Sequence, residues 1–201
     1  MTLPTLSYYR HWVFDMDGTL TVSVHDFPAI RRRLGVPPGA DVLTHLDTLP
    51  TDERLEKHAW LFAHERTLAL DARPAPGSVA LVRALQERGC QLGILTRNAR
   101  ELAHITLEAI GLADCFDPES VLGRDEATPK PDPAGLLYFK AHWHVPAQAM
   151  VMVGDSRADL ACGRAAGALT LLVNTPGDPW PALTDHRLED CRALLERVDA
   201  P

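Results

Sequence analysis

Apolar and polar positions along the 201-residue chain follow three successive rhythms. Tyr9 to Phe14 is an apolar run of strand length that stops at Asp15. From residue 26 to residue 70 the spacing turns helical. Phe27, Ile30 and Leu34 suit a short helix closed by Gly35, and Pro37-Pro38-Gly39 separates it from a second around Val42, Leu43 and Leu46. A longer helix begins at Thr51, with Leu55, Ala59, Phe62, Ala63 and Leu70 near helical spacing and Thr51-Asp52-Glu53 as cap and acidic first turn. No strand pattern occurs in this stretch, and Arg73-Pro74-Ala75-Pro76-Gly77 breaks it off.

The third rhythm alternates helix and strand. Helical spacing is predicted over 78–88, 99–110, 132–142, 158–166 and 188–198. Strands are predicted over 91–95, 149–153 and 169–173, with a short extended piece at 120–122. Alternation of this kind predicts an α/β fold, a parallel sheet with helices on both faces and right-handed crossovers. The helical stretch then reads as an insertion after the first strand. The predicted division is a main domain of 1–22 with 74–201, and an insertion of 23–73.

Composition narrows the possibilities. The chain is 46% hydrophobic and 23% charged, ordinary for a globular protein, and long enough to bury a sizeable core. A formal net charge of −7 argues against nucleic-acid binding through a basic surface. No apolar stretch approaches the roughly 20 residues that span a bilayer, so no membrane partner is expected. Met1 to His11 lacks the basic-then-apolar pattern of a secretory signal. The four cysteines, Cys90, Cys115, Cys162 and Cys191, have no paired spacing, which predicts neither a zinc site nor a disulfide framework and fits a cytoplasmic protein. The nine histidines form no metal-binding motif, and surface or packing roles are expected for them.

The chemistry sits where strands are predicted to end. Val13-Phe14-Asp15-Met16-Asp17-Gly18-Thr19-Leu20 places two carboxylates one residue apart just before a glycine turn. Anionic groups so close repel each other, and a divalent cation between them or a retained proton would make the pair tolerable. Thr96-Arg97-Asn98 follows the strand at 91–95, Thr128-Pro129-Lys130-Pro131-Asp132-Pro133 follows the extended piece, and Gly154-Asp155-Ser156-Arg157-Ala158-Asp159 follows the strand at 149–153. In a parallel sheet these ends open on one edge, where such folds bind ligands. Carboxylates, a hydroxyl, an amide and a lysine are what phosphoryl transfer needs, and hard oxygen donors suit Mg²⁺.

Together the four segments resemble the haloacid dehalogenase-like hydrolase superfamily, in its phosphoglycolate phosphatase and β-phosphoglucomutase-like branch. The resemblance spans nearly the whole chain. It implies a Rossmann-like three-layer core with a small helical cap inserted after the first strand. It also implies a Mg²⁺-dependent phosphatase acting on a small phosphorylated metabolite, working as a monomer or weak homodimer. By resemblance Asp15 is the nucleophile, and Asp17 the general acid and then base. Thr96 grips the phosphoryl group, helped by Asn98 and with Arg97 within reach of substrate, and Lys130 offsets charge. Asp15, Asp155 and the backbone carbonyl of Asp17 would hold the metal. Asp159 would orient Lys130 or a metal-bound water, and Gly18 and Thr19 would support the loop. One departure stands out, since many relatives carry Asp where this chain has Val22.

Other readings compete. A phosphomutase would return the phosphoryl group to a sugar, and Thr19 leans away from it because the mutase resembled tends to carry valine there. A dehalogenase would need neither metal nor Asp17, and a non-catalytic phosphate- or partner-binding module would need no complete reactive set. Arg31-Arg32-Arg33 fans around a helix and reads as a solvated face, and Trp60 with His64 shares a helix face suited to packing.

Overall fold

The computed structural model describes residues 6–24 and 26–199. Residues 1–5 and 200–201, which the predicted main domain includes, and His25 in the insertion lie outside the described residues. The chain divides into two compact units, Met1–Ser23 with Ala72–Pro201, and Val24–Asp71.

In the first unit, β1 (His11–Phe14) is followed in chain order, after the second unit, by α4 (Ser78–Glu87), β2 (Gln91–Leu95), α5 (Arg100–Ala109), β3 (Val121–Leu122), α6 (Ala134–His142), β4 (Met150–Gly154), α7 (Arg157–Ala166), β5 (Leu169–Leu172), β6 (His186–Arg187) and α8 (Cys191–Asp199). The second unit holds α1 (Phe27–Leu34), α2 (Val42–Asp47) and α3 (Thr51–Leu70). The sheet runs β3-β2-β1-β4-β5-β6, and every pair is parallel. This is the predicted α/β fold, with its strand order reversing direction between β1 and β4.

Both sheet faces are dry, which is why the strands read as unbroken apolar runs. Trp12, Phe14, Ile94, Val151, Val153 and Leu171 pack on one face. Val13, Leu95, Met150 and Met152 pack on the other with Leu136, Phe139 and Cys162. Alternate side chains of one strand therefore serve two cores. Gly93 is the gap in β2 that admits α6, because a Cβ there would lie 2.7 Å from the Phe139 ring.

Several element ends differ from the sequence reading. Leu6–Tyr8 forms a 3₁₀ turn, and Tyr9 donates to the Leu6 carbonyl, so β1 starts at His11. α6 starts at Ala134 because the Asp132 N–H turns back to Pro129 while its carboxylate accepts the Ala134 N–H. β6 was not predicted: it is two polar residues long and is recruited by pairing with Leu171 and Leu172. Leu188 still donates to Leu172, and Asp190 accepts the N–H groups of Arg192 and Ala193, so α8 begins at Cys191 rather than 188.

In the helical unit Ile30, Leu34, Val36, Leu46 and Leu61 form a small core. Asp26 and Asp41 cap α1 and α2, and Gly35 ends α1 at φ 71°. α3 departs from expectation twice. Pro50 occupies the cap position with no side-chain cap, Thr51 being already helical. Its buried residues are Leu61 and Ala69, whereas Leu55 and Leu70 are 62% and 53% exposed, so the predicted stripe is not the buried one.

Candidate active site

The loop after β1 is tied to its own start. The N–H groups of Thr19, Leu20 and Thr21 all point to the Met16 carbonyl at 3.2, 2.9 and 2.9 Å. Asp15 donates its N–H to Val153 at 2.9 Å, which carries the pairing with β4 one residue past β1. Gly18 has φ 87°, and a Cβ on it would lie 2.3 Å from Asp155 Oδ2. Only glycine permits both the backbone turn and the close approach of the two loops.

Five predicted residues, Asp15, Thr19, Lys130, Asp155 and Asp159, meet at the reversal between β1 and β4. The Lys130 ammonium is 2.5 Å from Asp15 Oδ1 and 2.7 Å from Asp159 Oδ1. Asp159 Oδ2 accepts the Ser156 N–H at 3.0 Å and hydroxyl at 2.6 Å, which ties the first turn of α7 to its cap residue. Thr19 donates its hydroxyl to Asp155 Oδ1 at 3.3 Å. Asp15, Asp155 and Asp159 each offer an oxygen within 4.8 Å of the others.

The charges here are buried and out of balance. Lys130 and Asp159 are 4% and 0% exposed. Burial alone would push the Lys130 ammonium down, but Asp15 and Asp159 more than reverse this and hold it charged. Burial, and then the charge of Asp159, push the Asp15 carboxyl well up against the pull of Lys130. The same two causes push Asp155 up to about 6. Three acids thus share one cation, and further positive charge would be stabilised among them. Hard carboxylate oxygens this close fit a Mg²⁺ ion that keeps several waters.

Asp17 stands in a second group. Its Oδ2 accepts Asn98 Nδ2 at 2.6 Å, and its Oδ1 accepts the Thr21 hydroxyl at 3.4 Å. Thr96 is buried, its N–H bonds Leu122, and its hydroxyl accepts the Asn98 N–H at 3.1 Å. Asn98 therefore holds Asp17 as well as standing beside Thr96. Arg97, on the same loop, is exposed. Sequence reasoning passed over two residues, Asn174 and Thr175. Asn174 Nδ2 donates to the Gly18 and Thr19 carbonyls at 2.8 and 3.0 Å, and the Thr175 hydroxyl donates to the Asp155 carbonyl at 2.7 Å. The signal was present, since both follow a predicted strand as the other groups do.

Among the described residues no helix is long and apolar enough to cross a membrane, and the four cysteines are buried and free.

A family model for haloacid dehalogenase-like hydrolases matches residues 9–167. A haloacid dehalogenase-like hydrolase domain-containing protein of Arabidopsis thaliana is 33% identical over 187 residues, covering 86% of this chain and 74% of that protein. A phosphoglycolate phosphatase of Rhodospirillum rubrum is 31% identical over 193 residues, covering 81% and 78%. The crystal structure of a hydrolase from Pseudomonas syringae has the same fold, with a TM-score of 0.77 at 21% identity over 94% of this chain and 98% of that one. Strand order, the loops at the β1/β4 reversal and sequence similarity agree: the chain belongs to the haloacid dehalogenase-like hydrolases, in their phosphoglycolate phosphatase-like branch.

Proposed function

We propose that the protein is a Mg²⁺-dependent phosphatase that hydrolyses a small phosphorylated metabolite through an aspartyl-phosphate on Asp15. The observation that carries this is the buried Lys130 ammonium held between Asp15 and Asp159, with Asp155 in the same cluster. A structural ion pair would not need a third acid pushed toward neutrality beside it. The phosphoglycolate phosphatase similarity supports the reaction class, and the substrate is proposed only as far as a small phosphomonoester.

A carboxylate oxygen of Asp15 attacks phosphorus as the bond to the leaving oxygen breaks, and Asp17 gives that oxygen its proton. Asp17, now a carboxylate, takes a proton from the water that attacks the aspartyl-phosphate, releasing inorganic phosphate and restoring Asp15. Asn98 aims the Asp17 carboxylate through its 2.6 Å hydrogen bond. Lys130 offsets charge on Asp15 and on the phosphoryl oxygens, and Thr96 contributes its hydroxyl to them. Asp15 and Asp155, with the backbone carbonyl of Asp17, would hold Mg²⁺, which supplies Lewis-acid charge neutralisation at the phosphoryl group. Asp159 is taken up by Lys130 and Ser156 and acts as the orienting acid. The insertion, 23–73, is proposed as the cap that sets substrate choice.

The test is phosphate release from p-nitrophenyl phosphate and a panel of phosphometabolites, with Mg²⁺ and with chelator. Mg²⁺-dependent release that disappears in Asp15→Asn is expected, and release surviving that substitution would overturn the assignment. Isomerised sugar phosphate without free phosphate would point instead to a mutase.

A further inference from the structure

We infer that Asn174 and Thr175 are positioning residues that set the spacing between the Asp15 loop and Asp155, and through it the affinity for the divalent cation. This rests on the cation-dependent phosphatase proposed for the same site.

Val173 donates to Gly154 at 3.0 Å, the last rung between β5 and β4. The backbone then turns, and Asn174 takes φ 58°, a left-handed conformation that asparagine tolerates better than most residues. Its own N–H is anchored on the Glu189 carbonyl at 3.0 Å. From there the amide nitrogen donates to two consecutive carbonyls of the β1 loop, Gly18 at 2.8 Å and Thr19 at 3.0 Å. The next residue acts on the other loop, as Thr175 Oγ1 donates to the Asp155 carbonyl at 2.7 Å. Two adjacent side chains at the end of one strand thus hold both loops that carry the acids.

What they hold is a tight fit. Gly18 lies directly against the Asp155 carboxylate, and Thr19 donates to the same group. A small shift of residues 18–19 moves both contacts at once. Asn174 hydrogen-bonds backbone carbonyls rather than the acids, so its influence on the cation runs through the backbone. Outer contacts of this kind typically alter metal affinity or activity by about 10–100-fold when removed.

Three variants separate positioning from a purely structural role. Asn174→Gly keeps the left-handed turn and removes the amide. Thr175→Val removes the hydroxyl and keeps the shape. Asn174→Asp keeps the size but turns oxygens toward two carbonyls. Mg²⁺ binding is read by titration calorimetry, and kcat and KM with p-nitrophenyl phosphate. For Asn174→Gly a Tm within about 4 °C of the wild type is expected. Its Mg²⁺ Kd should be raised about tenfold or more, with kcat regained at high Mg²⁺ and KM unchanged. Asn174→Asp should bind Mg²⁺ more weakly still, and Thr175→Val should move in the same direction by less. A folded Asn174→Gly with wild-type Mg²⁺ affinity overturns the inference. If that variant does not fold, Thr175→Val with wild-type affinity overturns it. A wild type that binds no Mg²⁺ overturns the cation site itself, and a wild type that binds with variants equal to it overturns only the positioning role.

Discussion

The sheet unit and the helical unit are both amphipathic elements closed around apolar cores, yet they differ in what they bury. Inside the sheet unit lie Asp15, Thr19, Thr96 and Lys130 in the loops at the strand ends, and Asp159 in the first turn of α7. Among the described residues of the helical unit the buried side chains are apolar, and charged groups meet in partly exposed contacts such as Lys57 with Glu53, His58 with Asp47, and Arg33 over the Trp60 ring at 5.2 Å. Burying charge is costly and persists only where partners or ligands compensate it. The difference therefore concentrates the buried charges in one unit and leaves the other free to vary its surface. The arginine run bears this out in part. Arg32 and Arg33 are exposed, while Arg31 is half-buried and donates to the Ala40 carbonyl.

The sharpest way to test the contrast is to remove reactive groups from the sheet unit. Asp15→Asn should lower phosphate release by about 10³-fold or more while circular dichroism stays native, because the lost group is the proposed nucleophile and Lys130 keeps Asp159. Lys130→Met should abolish activity and also destabilise by about 3–5 kcal/mol in chemical denaturation, since two buried acids lose their counter-charge.

A smaller effect follows from pH. The folded-state pKa of Asp155 lies at about 6, above the ordinary 3.8, so its protonated form is the one the metal-free fold favours. Its contribution to stability is present below pH 3.8 and is lost as pH rises through about 6, on the order of 3 kcal/mol. Thermal melts in chelator should show that loss, and added Mg²⁺ should raise Tm more at pH 7 than at pH 5. Equal Mg²⁺ shifts at both values would contradict the link between these acids and the cation. The smallest effect belongs to the helical unit. Arg33→Ala should cost about 0.5–1 kcal/mol and leave turnover of p-nitrophenyl phosphate unchanged. A large loss of turnover there would break the contrast between the units.

The legible parts of the molecule were those where one local cause decides the outcome. Phe14 to Asp15 and Val153 to Asp155 each show an apolar strand giving way to acids, and the parallel alternation told that these ends share one edge. α3 was harder to read because Leu55, Phe62 and Leu70 keep helical spacing whichever face is buried, and only packing against Ile30, Leu34 and Leu46 selected Leu61. β6 was invisible because two polar residues carry no pattern of their own. Asn98 was expected beside the phosphoryl group, and only its distance to Asp17 revealed the hydrogen bond between them.

By itself the chain's pattern determined the α/β class, the helical insertion and the carboxylates, hydroxyl, amide and lysine that follow the strands, because periodicity and residue type are local properties. Tertiary structure alone decided how they pair. Lys130 lies between Asp15 and Asp159, Gly18 touches Asp155, and Asn174 reaches carbonyls more than 150 positions away. Such contacts depend on the order and register in which strands assemble, and on the exclusion of water that makes each charge's nearest neighbour matter.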